Sequence, residues 1–318
     1  MLILTVTLPK LSHMTILEHD VDPRDLAPAQ ANRLARAATK GAPLGVQARA
    51  SFDAKKYAIP AAPDVTVARA TVGGIPGFWC RPANAGPGAA ILFLHGGGYV
   101  MGSAQAFTNF AGQIGLRAGA DTFVVDYRLA PEHQFPAAVE DALAAYTGCI
   151  EGRLRVALAG DSAGGGLALA LLGRLSRAED ATRRPVAAAV MSPWADLTLT
   201  GGSYVTRAEA DPVFTREVLR NIAQTYLGGT DPADPLASPL FGSLQGLPPI
   251  RIDVGDDEVV LDDSLRYAAR AGAAGVPVSV HVWKGMPHVF QTGLGRFVAA
   301  ERSMDGIGDF LREHLHRK

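Results

Sequence analysis

The sequence is poor in cysteine, in net charge of either sign and in long apolar runs. Its 318 residues include only two cysteines, Cys80 and Cys149. Two distant thiols make no zinc or redox motif and no disulfide framework. Free thiols fit a reducing compartment, so a cytoplasmic protein is expected. Lys and Arg total 30 against 31 Asp and Glu, a net charge of −1. That balance leaves no basic excess for phosphates, so neither nucleic acid nor an anionic membrane is an expected partner. No window approaches the ~20 uninterrupted apolar residues of a membrane span. Residues Met1 to Leu8 are apolar, but no positive charge precedes them and no Ala-x-Ala-like site follows. They are not read as a signal peptide, and Met14 offers an alternative start, with residues 1–13 an upstream extension. Asn-x-Ser/Thr sequons, internal repeats and low-complexity tracts are also absent.

What is present is a globular composition, 48% hydrophobic and 19% charged, on a length that suits one large domain or two small ones. Residues 1–60 read as an N-terminal cap segment, with helical spacing over Pro28–Ala38. From residue 61 onward the pattern is that of a catalytic domain. Gly73-Gly74 sits between the alternating runs Val65–Val72 and Pro76–Arg81, which predicts a hairpin. Short continuous apolar runs follow at Ala89–Leu94, Thr122–Val125, Val156–Ala159, Val186–Met191, Ile250–Val254 and Val278–Val282. Such runs mark strands buried on both faces of a parallel sheet. Helix-length stretches at 105–119, 136–148, 163–178, 261–274 and 296–316 alternate with them, giving a doubly wound α/β sheet. The rhythm breaks at residues 195–249, far longer than a crossover requires and rich in Pro, Gly and Asp. This insertion, with a helix over Thr215–Leu227, is expected to lay a cap (about 197–230) over the C-terminal edge of the sheet, where open α/β folds bind ligands.

Strand Val156–Ala159 runs into Gly160-Asp161-Ser162-Ala163-Gly164 and then directly into an apolar helix. Gly-x-Ser-x-Gly at a strand–turn–helix junction is a nucleophile elbow. The turn is too tight for a Cβ at Gly160 or Gly164, and it points the Ser162 hydroxyl into the cleft. It also leaves the Ala163 N–H at a helix N-terminus, where positive dipole density can hold an oxyanion. A Rossmann fingerprint or a P-loop does not fit, because the spacing and the Gly-Lys-Ser/Thr are missing. Strand Ile91–Leu94 ends in His95-Gly96-Gly97-Gly98. Three bare backbone amides let a developing negative oxygen approach closely. Gly97 and Gly98 are assigned as donors beside Ala163, with Gly96 as a substitute. His95 is read as a residue that orients this loop.

Such elbows take their partners in the order Ser, acid, His. Of eight histidines, order leaves His281, His288, His314 and His316. His281 lies inside an alternating strand, and His314 and His316 end a charged helix. His288 sits in the turn after a strand, where the base belongs. The acid follows strand Ile250–Val254. Asp256, Asp257 and Glu258 all occupy that turn, and spacing does not separate them. Asp262 and Asp263 fall at the start of a helix, where a cap or first-turn role explains them, and Asp196 is a further alternative.

These residues together resemble the hormone-sensitive-lipase family of α/β-hydrolases, the bacterial family IV esterases. The resemblance rests on His95-Gly-Gly-Gly98, on Tyr127-Arg-Leu-Ala-Pro-Glu-His133 with Phe135-Pro136-Ala137-Ala138, on Gly160-Asp-Ser-Ala-Gly164, on Ser192-Pro-Trp194 and on His288. It implies an α/β-hydrolase fold, a Ser–acid–His triad, short- and medium-chain acyl ester substrates, no cofactor and, commonly, a homodimer. Where many members read Asp-Pro-Leu-x-Asp, this chain reads Glu258-Val-Val-Leu-Asp262-Asp263. That alignment favours Glu258 as the acid and resembles a subgroup that includes lactone hydrolases. The Tyr127–Glu132 segment is expected to pin the glycine loop, with an Arg128–Glu132 ion pair in a structural role.

The expected activity is therefore a serine carboxylesterase working through an acyl-enzyme, with Ser162, Glu258 and His288 as the triad and Gly97, Gly98 and Ala163 as oxyanion donors. No metal motif is present, and none is expected. An amidase or peptidase on the same triad, or a binding-only member of the fold, is the alternative. Val213, Phe214, Leu219 and Tyr226 are candidate pocket residues or cap core.

Overall fold

The computed structural model describes residues 13–177, 180 and 183–317. The apolar start Met1 to Leu8, and all of the 1–13 extension except His13, lie outside these. So does position 178, where the helix expected from 163 ends.

The chain begins with strand β1 (Met14–His19), helix α1 (Pro23–Ala37) and helix α2 (Arg49–Tyr57). The hairpin β2 (Val65–Val72) and β3 (Ile75–Pro82) follows, then β4 (Ala89–Leu94), α3 (Thr108–Ala118), β5 (Asp121–Val125), α4 (Ala137–Glu151), β6 (Arg155–Asp161), α5 (Ser162–Leu175) and β7 (Ala188–Met191). The short α6 (Ser203–Thr206) and α7 (Arg216–Leu227) occupy the long connection. The chain closes with β8 (Ile250–Asp257), α8 (Leu261–Ala273), β9 (Val278–Pro287) and α9 (Val298–Leu315).

Among the described residues the strands form one sheet in the order β1-β9-β8-β7-β6-β4-β5-β3-β2. Only the pairs β2–β3 and β3–β5 are antiparallel. The order reverses at β4, so consecutive strands lie on opposite sides of the middle and the loops beyond β4 and β6 face one crevice. All six residues of β4 are buried, as a strand covered on both faces requires. One core, filled from α4, α5, α7 and α8, covers one face. A second, filled from α3 and α9, covers the other. Cys80 and Cys149 are buried free thiols, each pushed up to about 12 by burial. Among the described residues no helix is long and apolar enough to cross a membrane.

The N-terminal segment is not helices alone. Residues 14–19, which sequence reading assigned to the cap, form β1 and pair parallel with Val278–Trp283. The pairing covers backbone groups that β9 would otherwise expose at a sheet edge. His19 anchors it, with its ring 3.9 Å from that of Trp283 and its Nε2 3.0 Å from Nδ1 of His281. His281 is buried. The 195–249 insertion does carry the expected helix. Thr215 caps α7 by accepting from Val218 N–H, and the buried face of α7 brings Ile222 over the glycine loop: a Cβ at Gly98 would come within 2.9 Å of it.

Candidate active site

β6 ends at Asp161, and α5 begins at the next residue with no intervening loop. The junction forces Ser162 to φ +53°, a left-handed conformation that costs a non-glycine residue free energy and persists only where its surroundings hold it. Those surroundings are tight. A Cβ on Gly164 would lie 2.0 Å from the Leu94 carbonyl oxygen and 2.4 Å from that of His95, and one on Gly160 would lie 2.5 Å from the Gly164 oxygen. The elbow and the end of β4 therefore touch backbone to backbone.

This contact sets the Ser162 hydroxyl against the turn after β9. Ser162 Oγ lies 2.8 Å from His288 Nε2. His288 Nδ1 lies 2.6 Å from Glu258 Oε2. With the serine hydroxyl donating to Nε2, the ring carries its proton on Nδ1 and donates it to the carboxylate. Glu258 is fully buried. Its other oxygen accepts from Ser192 Oγ–H at 2.8 Å and from Gly255 N–H at 2.7 Å. Ser192 Oγ in turn accepts from Val289 N–H at 3.0 Å. One hydroxyl thus joins the carboxylate to the residue beside the histidine. Sequence reading noted Ser192 only as part of Ser192-Pro-Trp194 and gave it no role; its φ of +46° is not readable from the motif.

The neighbouring carboxylates are occupied elsewhere. Asp256 Oδ1 accepts from Gly285 N–H at 2.6 Å. Asp257 pairs with Arg33 of α1, and burial pushes its carboxyl above the usual range. Asp196 is held by Arg266, Thr198 and Thr200. Asp262 and Asp263 lie in the first turn of α8, and Asp263 is buried and accepts from Ala195 and Asp196 N–H, fixing where the insertion leaves the sheet.

The glycine loop lies across Ser162. Gly97 adopts φ +126° and Gly98 φ +65°, and among the described residues neither amide has a protein acceptor. Ala163 N–H belongs to the first turn of α5, which has no intrahelical acceptor. Gly96 does not serve as a substitute. Its N–H is committed to Asp161 Oδ1 at 2.8 Å, a bond inside the elbow motif that the spacing does not reveal. His95 is fully buried, its Nδ1 2.9 Å from the Gly96 oxygen and its ring stacked on Tyr127 at 4.3 Å. Tyr127 O–H donates to the His95 carbonyl at 2.6 Å, so this segment does pin the loop. The expected Arg128–Glu132 pair does not form. Arg128 instead bonds Asp141 and Glu140 of α4, while Glu132 pairs with Arg49 of α2. Arg49 also donates to the carbonyls of Val100 and Ala130, which draws Glu132 toward the N-terminal segment.

From the insertion, Phe214 meets the His288 ring edge-on, with centroids 5.0 Å apart. Asp211 sets that position by accepting from Val213, Phe214 and Val259 N–H. Leu219 and Tyr226 pack into the core instead, Tyr226 stacking on Tyr99 at 3.8 Å. The arrangement holds a hydroxyl, an imidazole and a carboxylate in one hydrogen-bonded chain, which is the equipment of acyl transfer.

Comparison with known proteins agrees. A family model described as alpha/beta hydrolase fold matches residues 91–292. An acetyl-hydrolase of Streptomyces hygroscopicus is 44% identical over 247 residues, 76% of this chain and 81% of that protein. Esterase LipI of Mycobacterium tuberculosis is 36% identical, over 71% of this chain and 73% of its own. Among solved structures, EstE5 superposes with a TM-score of 0.84 at 39% identity, covering 93% of this chain and 99% of its own. An esterase from the bacterial hormone-sensitive lipase family gives 0.85 at 38% identity, with the same coverage.

Proposed function

From the premise that the chain belongs to the hormone-sensitive-lipase family of α/β-hydrolases and is a carboxylic ester hydrolase, we propose that Ser162, His288 and Glu258 are its triad and that it cleaves short- to medium-chain acyl esters. Ser162 Oγ attacks the ester carbonyl as His288 Nε2 takes its proton. Glu258 holds the imidazole orientation and stabilises its positive charge. The N–H groups of Gly97, Gly98 and Ala163 receive the tetrahedral oxyanion, and one such donor is worth roughly 2.7–4 kcal/mol in comparable enzymes. As the carbonyl re-forms, the alkoxide leaves with the proton from His288. Water then gives a proton to His288 and attacks the acyl-enzyme, and collapse returns that proton to Ser162 as the carboxylic acid departs.

The observation that carries this reading is the unbroken hydrogen-bond chain from Ser162 Oγ through His288 to Glu258. The cap role of residues 20–60 and of the insertion is part of the same proposal, supported by Phe214 against His288 and Ile222 against Gly98. Turnover of p-nitrophenyl esters from acetate to laurate, and of simple lactones, by wild type, Ser162→Ala and Glu258→Ala tests it. The expected outcome is highest turnover of the short esters. Ser162→Ala should fall at least about a thousandfold and Glu258→Ala roughly a hundredfold or more. A wild type inert on every ester would sink the reading, and an active Glu258→Ala would move the acid elsewhere.

A further inference from the structure

The side of the cleft that α2 forms carries a cation that the triad does not use. Lys56 is half-buried. Its Nζ lies 5.2 Å from the Phe52 ring centroid and 5.3 Å from that of Phe107. Phe107 stacks in turn on His95, centroids 5.3 Å apart, at the root of the glycine loop. Asp53, one turn before Lys56 on α2, accepts from Ser103 Oγ–H at 2.8 Å just beyond that loop. The ammonium therefore stands beside the oxyanion loop, and its field reaches Asp161, the residue before the nucleophile.

Among the described residues Lys56 has no carboxylate and no hydrogen-bond acceptor, only the two ring faces. Arg33 and Arg49, on the same two N-terminal helices, are each matched by a carboxylate. Burial lowers the Lys56 ammonium, against the opposing pull of Asp161. Asp161 is fully buried with one oxygen on Gly96 N–H, and Asp211 is spent on three backbone amides. A half-buried cation with ring faces but no anion beside it is a place where a ligand can supply the missing charge.

We infer that Lys56 forms an anion subsite, and that the preferred substrates are esters carrying a free carboxylate at the end remote from the scissile bond. This rests on the ester-hydrolase reading above. A charge-assisted hydrogen bond from the ammonium to that carboxylate replaces the water both groups lose.

Two pairs matched in carbon number test it: monoethyl adipate against ethyl hexanoate, with the anion on the acyl side, and 4-acetoxybutanoate against butyl acetate, with the anion on the alcohol side. The readout is the ratio of kcat/KM, anionic over neutral, in wild type, Lys56→Met and Lys56→Arg, so a general loss cancels. In one of the two pairs the ratio should fall about tenfold or more in Lys56→Met, the worth of one hydrogen bond to a charged group. Lys56→Arg should retain most of it, and raised salt should lower the wild-type ratio. Ratios unchanged by Lys56→Met in both pairs, with the neutral esters still hydrolysed, would overturn the anion subsite and leave the esterase reading intact. A wild type inert on all four esters would overturn both.

Discussion

The crevice floor and the layer above it are built on opposite terms. The floor, where β4, β6, β8 and β9 end, is held by short-range backbone geometry and buried hydrogen bonds. Glu258, Asp161, Asp211 and Asp263 are all fully or almost fully buried, and each accepts backbone amides. The N-terminal layer is held by long-range contacts, the β1 pairing and side-chain bonds of Arg33, Arg49 and Asp53. In α1 only Asp25 is buried, and it caps α9 through Val298 and Ala299 N–H. Leu26 and Leu34 of α1 are 59% and 70% exposed. The layer joins the insertion through Lys40 Nζ on the Ala208 carbonyl and Gly41 N–H on that of Val213. A floor fixed this way keeps one geometry, whereas a cover fixed at its rim can change its lining without disturbing the chemistry below. Family-wide motifs therefore lie in the floor, and substrate choice is to be sought in the cover.

Glycines offer the strongest way to break this contrast. Gly164→Ala drives a Cβ to 2.0 Å from a backbone carbonyl that cannot move without β4, and it should cost more than about 4 kcal/mol. Gly229→Ala, beyond α7, has a φ of +94° but nothing within 4 Å, and it should cost only about 1–2 kcal/mol of backbone strain. Thermal unfolding of the two variants gives the comparison directly. Similar losses would mean that the insertion is as tightly determined as the elbow.

A smaller effect tests the floor's hydrogen-bond network. Ser192→Ala removes the donor to Glu258 Oε1 and leaves Val289 N–H without its acceptor. Ser192 touches no reacting atom, so it is a positioning residue. Its loss should reduce kcat roughly tenfold, in line with one buried hydrogen bond to a charged group. KM should stay near wild type, because the bond acts through His288 and not on bound substrate. A rise in KM with kcat preserved would place Ser192 in the pocket instead.

The same division decides what the sequence made legible. Ser162, His288 and the glycine loop are marked by spacing at strand ends, and Glu258 by its place in the turn together with the family pattern. The strands β4 and β5 fall within a residue of their apolar runs, because buried parallel strands write themselves as continuous hydrophobic stretches. Ser192, Asp211 and Asp161 were not legible as supports. Each acts on a group 48 to 66 positions away, which leaves no local pattern. Their partners are named only by the three-dimensional approach of β7, β8 and the insertion. β1 was missed for a related reason. Its residues are mostly exposed at the sheet margin, so the burial signal that betrays a strand is weak. The Arg128–Glu132 expectation failed because neighbours in sequence lost to α4 and α2, which place Asp141 and Arg49 at 2.7 Å from them.

The smallest expected effect lies where the N-terminal layer meets the sheet. His281 is lowered to about 4, first by burial, with Arg251 and His19 adding to it against the opposing pull of Asp253. His19, lowered by burial as well, shares its hydrogen bond. The unfolded chain titrates its histidines near 6.5, so between pH 6.5 and 4 it binds protons that the folded pair refuses. The stability this pair contributes is complete above pH 6.5 and is lost as pH falls toward 4, on the order of 1–3 kcal/mol. His281→Gln removes that titration, so its unfolding temperature should fall less steeply than wild type over the same interval. Hydrogen exchange should show the wild-type loss concentrated in β1, because both rings and Trp283 form its attachment. Amides of the elbow at Ser162–Gly166 should keep their protection throughout. Loss of protection at the elbow together with β1 would mean that floor and rim unfold as one unit, and the contrast drawn between them would not hold.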